Sequence, residues 1–217
     1  MSTLMENVSL YLPVLMEGVK GTLIVTVGSL ALSTALGLVW ALMRASGIRW
    51  LATLSEWIIN ILRGIPIIVM LFYIYFVMPD IGLSLTAMQA GIIGLGLAYS
   101  AYQSENFRAG IEAVDHGQVE AAMAMGMKWP TAMRRVILPQ ALRMTLPPYG
   151  NTMIMMLKDS SQASTITVAE LAMQGKLLAL STFDNTTVFT LVAIIYLIMC
   201  LPLILLVKHL EKRGRQK

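Results

Sequence analysis

NTTVFTLVAIIYLIMCLPLILLV, residues 185–207, contains no Asp, Glu, Lys or Arg. A helix needs about 20 mostly apolar residues to cross the hydrocarbon of a bilayer, so this stretch is long enough to span one. Two more charge-free windows, 21–43 and 81–104, read the same way. Windows 64–79 and 144–157 are shorter and reach spanning length if their polar ends rest against protein or in the interface. The composition agrees: 57% of the residues are hydrophobic, 13% are charged, and the mean hydropathy is +0.71, outside the range of a soluble core. The expectation is an all-α membrane protein with five transmembrane helices in one domain, residues 1–217.

The basic residues give this arrangement a direction. With five spans, one side collects Arg44, Arg49, Arg63, Arg108, Lys128, Arg134, Arg135, Arg143, Lys208, Lys212, Arg213, Arg215 and Lys217, while the other keeps Lys20, Lys158 and Lys176. Cytoplasmic loops carry the excess of Lys and Arg, so the chain is expected N-out and C-in. The net charge of +4 does not point to nucleic acid, because the basic residues are not interleaved with aromatics on one face. The first 18 residues lack a basic start and carry Glu6 and Glu17, unlike a cleaved signal peptide, so this segment is expected to stay on the mature chain. Cys200, the single cysteine, sits in an apolar run and reads as a packed thiol. His116 and His209 have no companions at metal-ligand spacing, and no metal site is expected.

Several local signals shape the spans. Ser29, Ser33 and Gly37 recur every fourth residue, either as a ridge for close helix contact or as the ordinary small residues of membrane helices. Pro66 disfavours helical geometry at Ile65, which predicts a bend between a lateral helix and the second span. PDIGLSLT, from residue 79, reads as a short external turn. Gly91, Gly94 and Gly96 suit close packing in the third span. At its end Glu105 and Arg108, three apart, can pair with each other; alternatively Glu105 or Gln103 borders a polar pathway. The fourth span runs into KDSSQASTIT, which is either a cavity lining or simply the external end.

Between the third and fourth spans lies a long basic segment, 111–140. Asp115 is placed to cap a helix that Gly126 and Pro130 then break. That helix can lie on the membrane surface, or act as a knob in which Ala121, Ala122 and Gly126 allow close approach and Met123, Met125 and Met127 mould to a partner's groove. No phosphate-binding loop, HExxH, GxSxG or cysteine pair occurs, so no catalytic residue is expected. A transporter built this way must borrow its energy source.

Residues 120–139, EAAMAMGMKWPTAMRRVILP, carry a resemblance. Glu120, Ala121, Ala122, Gly126, Val136, Leu138 and Pro139 fill every position of the pattern GluAlaAla, three residues, Gly, nine residues, branched aliphatic, one residue, LeuPro. This resembles the EAA loop of permease subunits of binding-protein-dependent ABC importers. Arg63-Gly64-Ile65-Pro66 resembles the RG(T/S)P box of the polar amino-acid subfamily. AYQSENFRAGIEAV with Gly117-Gln118 resembles its third-span signature, and Lys158-Asp159-Ser160-Ser161 with Val168-Ala169-Glu170-Leu171 resembles its KDTSL to EL segment. The first and last spans agree in pattern only.

The resemblance implies a type I ABC importer permease fold. Its coupling helix, about 118–129, would dock in a cytoplasmic ATPase through Glu120, Ala121, Ala122, Met123, Gly126 and Met127. It also implies two ABC ATPase subunits, a solute-binding protein outside, a second permease copy or a similar permease, surrounding membrane lipid, and residence in the bacterial cytoplasmic membrane. No cofactor is implied for this chain; ATP and Mg belong to the ATPase. Asn60 stands where many relatives have an acidic residue, Ser160 where Thr is usual, and Gln162 where Leu is usual. These departures make Asn60, Asp159, Ser160, Ser161 and Gln162 the expected lining of the substrate pathway. The alternatives are a stand-alone channel or secondary carrier, and a membrane enzyme or scaffold. No internal repeat supports a carrier, and no catalytic constellation supports an enzyme.

Overall fold

Hydrocarbon offers the backbone no hydrogen-bond partners, so a chain this apolar has to satisfy its own amides by winding into helices. The computed structural model describes residues 2–215 and contains no strand among them. Helix α1, Ser2–Ala45, is one rod of 44 residues that passes through Pro13 and reaches well beyond the expected window. Helix α2, Arg49–Gly64, follows after a short turn. Ile65 is extended, at φ −98 and ψ 126, and the chain bends by 99° before resuming at residue 67. The bend expected before Pro66 is therefore present. One side of α2 packs inward through Ser55 and Ile59. The helical repeat puts Arg49, Glu56, Asn60 and Arg63 on a second side and leaves Trp50, Leu54, Trp57 and Ile61 exposed on a third.

Helix α3, Ile67–Phe72, continues through a π turn, Tyr73–Val77, and a 3-10 turn, Met78–Ile81. Helix α4 runs Ala87–Glu112. Its start is fixed by a capping box in which Thr86 and Gln89 exchange side-chain and backbone hydrogen bonds, so residues 81–86 of the expected third span lie outside the helix. Helix α5 is His116–Ala124. Helix α6, Trp129–Ala132, a π turn, Met133–Ile137, and α7, Leu138–Asp159, follow one another without a gap. Pro130 does not break a helix here. It occupies the first turn of α6, where a missing N–H costs nothing. Pro147 and Pro148 lie inside α7, and hydroxyls supplement the ladder around them: Thr145 donates to the Ala141 carbonyl at 2.9 Å and Thr152 to that of Pro148 at 3.0 Å. A 3-10 segment, Ser160–Ile166, leads to α8, Leu171–Thr182, and α9, Asn185–Arg215.

Lipid is as apolar as leucine, so helices in a bilayer associate by close packing rather than by the hydrophobic effect. Helix α1 is the spine that provides this. Ser29 donates to the Ile92 carbonyl at 3.2 Å. A Cβ at Gly37 would lie 2.7 Å from Cβ of Gln103 and 2.9 Å from the Ser100 carbonyl oxygen. The Ser29, Ser33, Gly37 ridge is thus the contact with α4. Nearer its start, α1 packs against the segment around α8, where a Cβ at Gly21 would overlap the Ala169 carbonyl. Leu71, Leu95, Tyr99, Met156, Ile166 and Val168 form the main core between α3, α4, α7 and the 3-10 segment. Cys200 is buried beside Ile154, Leu157 and Val207, as a packed thiol should be.

Two helical stretches, Asn7–Ala45 and Asn185–Lys212, are long and apolar enough to cross a membrane, and α2 with 67–81 passes as a bent pair. Helices α4 and α7 fall short of that measure because they bury polar groups against their neighbours, among them Ser100, Gln103, Ser104, Thr145 and Thr152.

Candidate functional site

The first candidate site is the loop between α4 and α7. Asp115 caps α5, its carboxylate accepting from the Gly117 amide at 2.6 Å. The helix ends at Ala124, earlier than the expected 118–129, because Gly126 takes φ +78. The Gly126 amide donates to the Met123 carbonyl at 2.9 Å and the Met127 amide to that of Ala122 at 3.2 Å. This pair of bonds is a Schellman stop, and Gly is favoured there because a side chain resists the left-handed geometry. Nothing lies within 4 Å of where a Gly126 Cβ would be, so the demand for glycine is conformational, not steric.

One face of α5 holds the loop to the body. Ala122 is buried, and Val119 packs with Met133 against Val114, Ile137 and Ala141. The other face is free: Glu120, Ala121 and Gly126 are exposed, Met123 is 46% and Met125 is 81% exposed, and Met127 is half-buried. The expected coupling residues therefore separate into Ala122, which anchors, and the rest, which lie at or near the surface. The result is a short capped helix with a carboxylate and pliable thioethers on its outer side.

The second candidate site lies where α2, α4 and the end of α7 meet. Tyr99, fully buried in α4, donates to Asp159 Oδ2 at 2.7 Å. Tyr99 stands halfway along α4, so Asp159 ends its helix beside the middle of a neighbour. The Tyr99 and Tyr102 rings are 5.7 Å apart, and the Arg63 guanidinium lies 5.8 Å from the Tyr102 centroid. Asn60, one turn before Arg63, is exposed. Ser161 and Gln162 are half-buried. Ser160 is fully buried, and its hydroxyl donates to the Leu157 carbonyl at 2.7 Å. Asp159 to Gln162 thus lie together, and the two tyrosines lead from them toward Arg63 and Asn60.

Sequence reasoning missed Tyr99 and Tyr102, although their spacing of three on one helix was visible. It also missed two clusters. Glu105 pairs not only with Arg108 but with Arg44 of α1, at 2.5 Å. Glu170, fully buried, caps α8 by accepting from the Ala172 and Met173 amides at 2.9 and 2.7 Å, and also accepts from Tyr196 of α9 at 2.7 Å and Thr22 of α1 at 3.5 Å.

Residues 33–216 match the family described as "Binding-protein-dependent transport system inner membrane component". The chain belongs to this family. The chain is 37% identical over 212 residues to the probable glutamine ABC transporter permease protein GlnM of Bacillus subtilis, covering 98% of the chain and 96% of the relative. It is 36% identical to the glutamine transport system permease protein GlnP of Escherichia coli K12, covering 94% of each. Its fold matches the solved structure "Crystal structure of an amino acid ABC transporter with histidines" with a TM-score of 0.91 at 36% identity, over 95% of this chain and 97% of that one. A methionine ABC transporter chain shares the fold at TM-score 0.74 and 23% identity.

Proposed function

We propose that the chain is the permease subunit of an ABC importer for polar amino acids or related zwitterions, in the bacterial cytoplasmic membrane. It has five spans, N-out and C-in, with α2 lying lateral at the cytoplasmic side before the bend into the span that begins at residue 67. Two such chains, identical or similar, sit above two ATPase subunits and below a solute-binding protein. The chain hydrolyses nothing; ATP and Mg act in the ATPase. A free channel or secondary carrier is not favoured, because the family is binding-protein-dependent.

The observation that carries this reading is α5: a capped helix, held by Val119 and Ala122, that presents Glu120, Ala121, Met123 and Met125 outward. Small residues admit a partner's surface closely, and thioethers conform to it. Docked in an ATPase cleft, α5 moves when the ATPase pair closes, and the helices joined to it shift between inward-open and outward-open arrangements. Nucleotide biases the two states from one side and loaded binding protein from the other.

Asn60, Asp159, Ser160, Ser161 and Gln162 belong to the substrate pathway in this reading. Asp159 and Arg63 stand at opposite ends of the Tyr99 and Tyr102 pair, an acceptor for an ammonium and a donor for a carboxylate. A zwitterion needs both. Ser160 contributes through the backbone turn it stabilises, since its hydroxyl is committed to Leu157.

The test is co-purification of tagged chain, wild type beside Gly126→Val, expressed with its neighbouring genes, followed by native mass determination. A pair of ATPase subunits with wild type, lost with the variant, is the expected result. Recovery of the wild-type chain alone, under conditions that keep such complexes intact, would overturn the reading and reopen the channel alternative.

A further inference from the structure

Four charged side chains lie together where α1 ends and α4 approaches α5. Glu105 Oε1 accepts from Arg44 Nη1 of α1 at 2.5 Å. Glu105 Oε2 accepts from Arg108 Nε at 3.0 Å and Nη2 at 2.7 Å. Arg108 Nη1 in turn donates to both oxygens of Glu112, at 2.8 and 2.7 Å. Two arginines and two glutamates cancel, so the cluster has no charge left over for an anion. Arg44 and Glu105 expose only 27% and 26% of their side chains. Charges withdrawn from water beside membrane helices are costly to place, and they mark function more often than charges on a solvated face.

The position of the cluster says what it does. Deeper in the bundle α1 and α4 are already fastened, by Gly37 against Gln103 and by Trp40 Nε1 donating to Ser100 Oγ at 3.1 Å. Toward α5 that packing gives way to a cleft of about 370 Å³ lined by Ala41, Arg44, Ala45, Arg108, Ile111 and Glu112. At this end Arg44–Glu105 is the ion pair that joins α1 to α4 beside an open cleft, while Arg108 ties Glu105 to Glu112 along α4. Glu112 is the last residue of α4, and the cap of α5 follows at Asp115. Halfway along its length α1 holds the start of α8, through Thr22 on Glu170 and Gly21 against Ala169. Between Thr22 and Arg44 α1 is unbroken, a length of about 33 Å at 1.5 Å per residue.

We infer that Glu105, held between Arg44 and Arg108, is a positioning residue that makes α1 follow α4 when α5 is displaced. The rigid length of α1 then carries that displacement to the α8 segment on the opposite side of the membrane. The inference rests on the importer reading above and adds to it a route from the ATPase side to the binding-protein side.

The experiment uses vesicles containing the whole complex, with ATP hydrolysis and amino-acid uptake measured on the same sample. Arg44→Gln leaves Glu105 paired with Arg108 and cuts only the link to α1. Capture of the ATPase subunits and ATP hydrolysis are expected to persist, while uptake per ATP falls at least about fivefold, the low end of ordinary coupling between sites. The swap Arg44→Glu with Glu105→Arg keeps the total charge, retains Arg108 on Glu112 and is expected to restore most of the ratio. If Arg44→Gln fails to assemble, Arg44→Lys is read the same way with a smaller loss. An unchanged ratio in the assembled variant, even with a lowered melting temperature, would reduce the cluster to a structural clasp and overturn the inference. Wild-type vesicles that show no ATP-dependent uptake would sink the importer reading itself, and this inference with it.

Discussion

The two long connections between helices of this bundle are opposites. The segment 113–128 touches the body through a few side chains, and a Cβ at Gly126 would meet nothing within 4 Å. The segment 160–184 is knitted in: Ser160, Ala163, Ile166, Val168, Glu170 and Leu171 are buried, and α1 needs glycine at 18 and 21 to let it approach. A loop built to be gripped by another protein keeps its contacts for that partner. A loop that shapes the interior spends them inside. The difference predicts that the second loop fails by unfolding and the first by losing its partner.

The largest effect is expected at Glu170→Leu. It removes the acceptor for two α8 amides and for Tyr196, and each buried donor left unmet costs ~1–3 kcal/mol. Little folded permease should be recovered from membranes, and what is recovered should melt well below wild type in detergent. An unchanged melting curve would show that α8 needs no clamp. Next comes Gly21→Val, which forces side-chain atoms into the Ala169 carbonyl and should cost about 1–3 kcal/mol, read by the same melting assay.

In the open loop the expected damage is functional. Glu120→Lys should insert and melt as wild type while uptake falls about tenfold, which is the effect of ~1.4 kcal/mol at a docking surface. Normal uptake in that variant would mean that the exposed face of α5 does not carry the coupling. The smallest effects belong to the pathway: Asn60→Ala and Gln162→Leu should shift apparent affinity or selectivity by about threefold, comparable to one hydrogen bond of ~0.5–1.5 kcal/mol. Both variants transporting with unaltered affinity and selectivity would remove these positions from the pathway.

The contrast also explains what could be read from the sequence. The α5 loop was legible because its signals are contiguous: Asp115 to start, Gly126 to stop, and GluAlaAla between them. The bend before Pro66 is likewise local. Pro130 was misread as a break although proline favours the first turn of a helix, which is where it sits. The apolar window gave only residues 144–157 of a helix that extends from Leu138 to Asp159, since the exposed charges of Arg143 and Lys158 interrupt it near both ends. Helix α8 and its Glu170 cap went unseen for a different reason. Thr22 is 148 residues from Glu170, and Arg44 is 61 from Glu105. Pairings over such distances leave no trace in a local pattern, whereas a helix whose start and stop both lie within one short segment does.

The exposed methionines of the open loop have a chemical consequence. Thioethers that meet peroxide become polar sulfoxides, and a protein surface pressed over them blocks the reaction. Met125, 81% exposed, and Met123, 46% exposed, flank Ala124, the last residue of α5, so the chain carries its own oxidation footprint. In an ATPase-bound complex these two sulfurs should resist a mild peroxide pulse that modifies them in the solitary subunit. Peptide masses would then report how much of the permease is assembled, without any label.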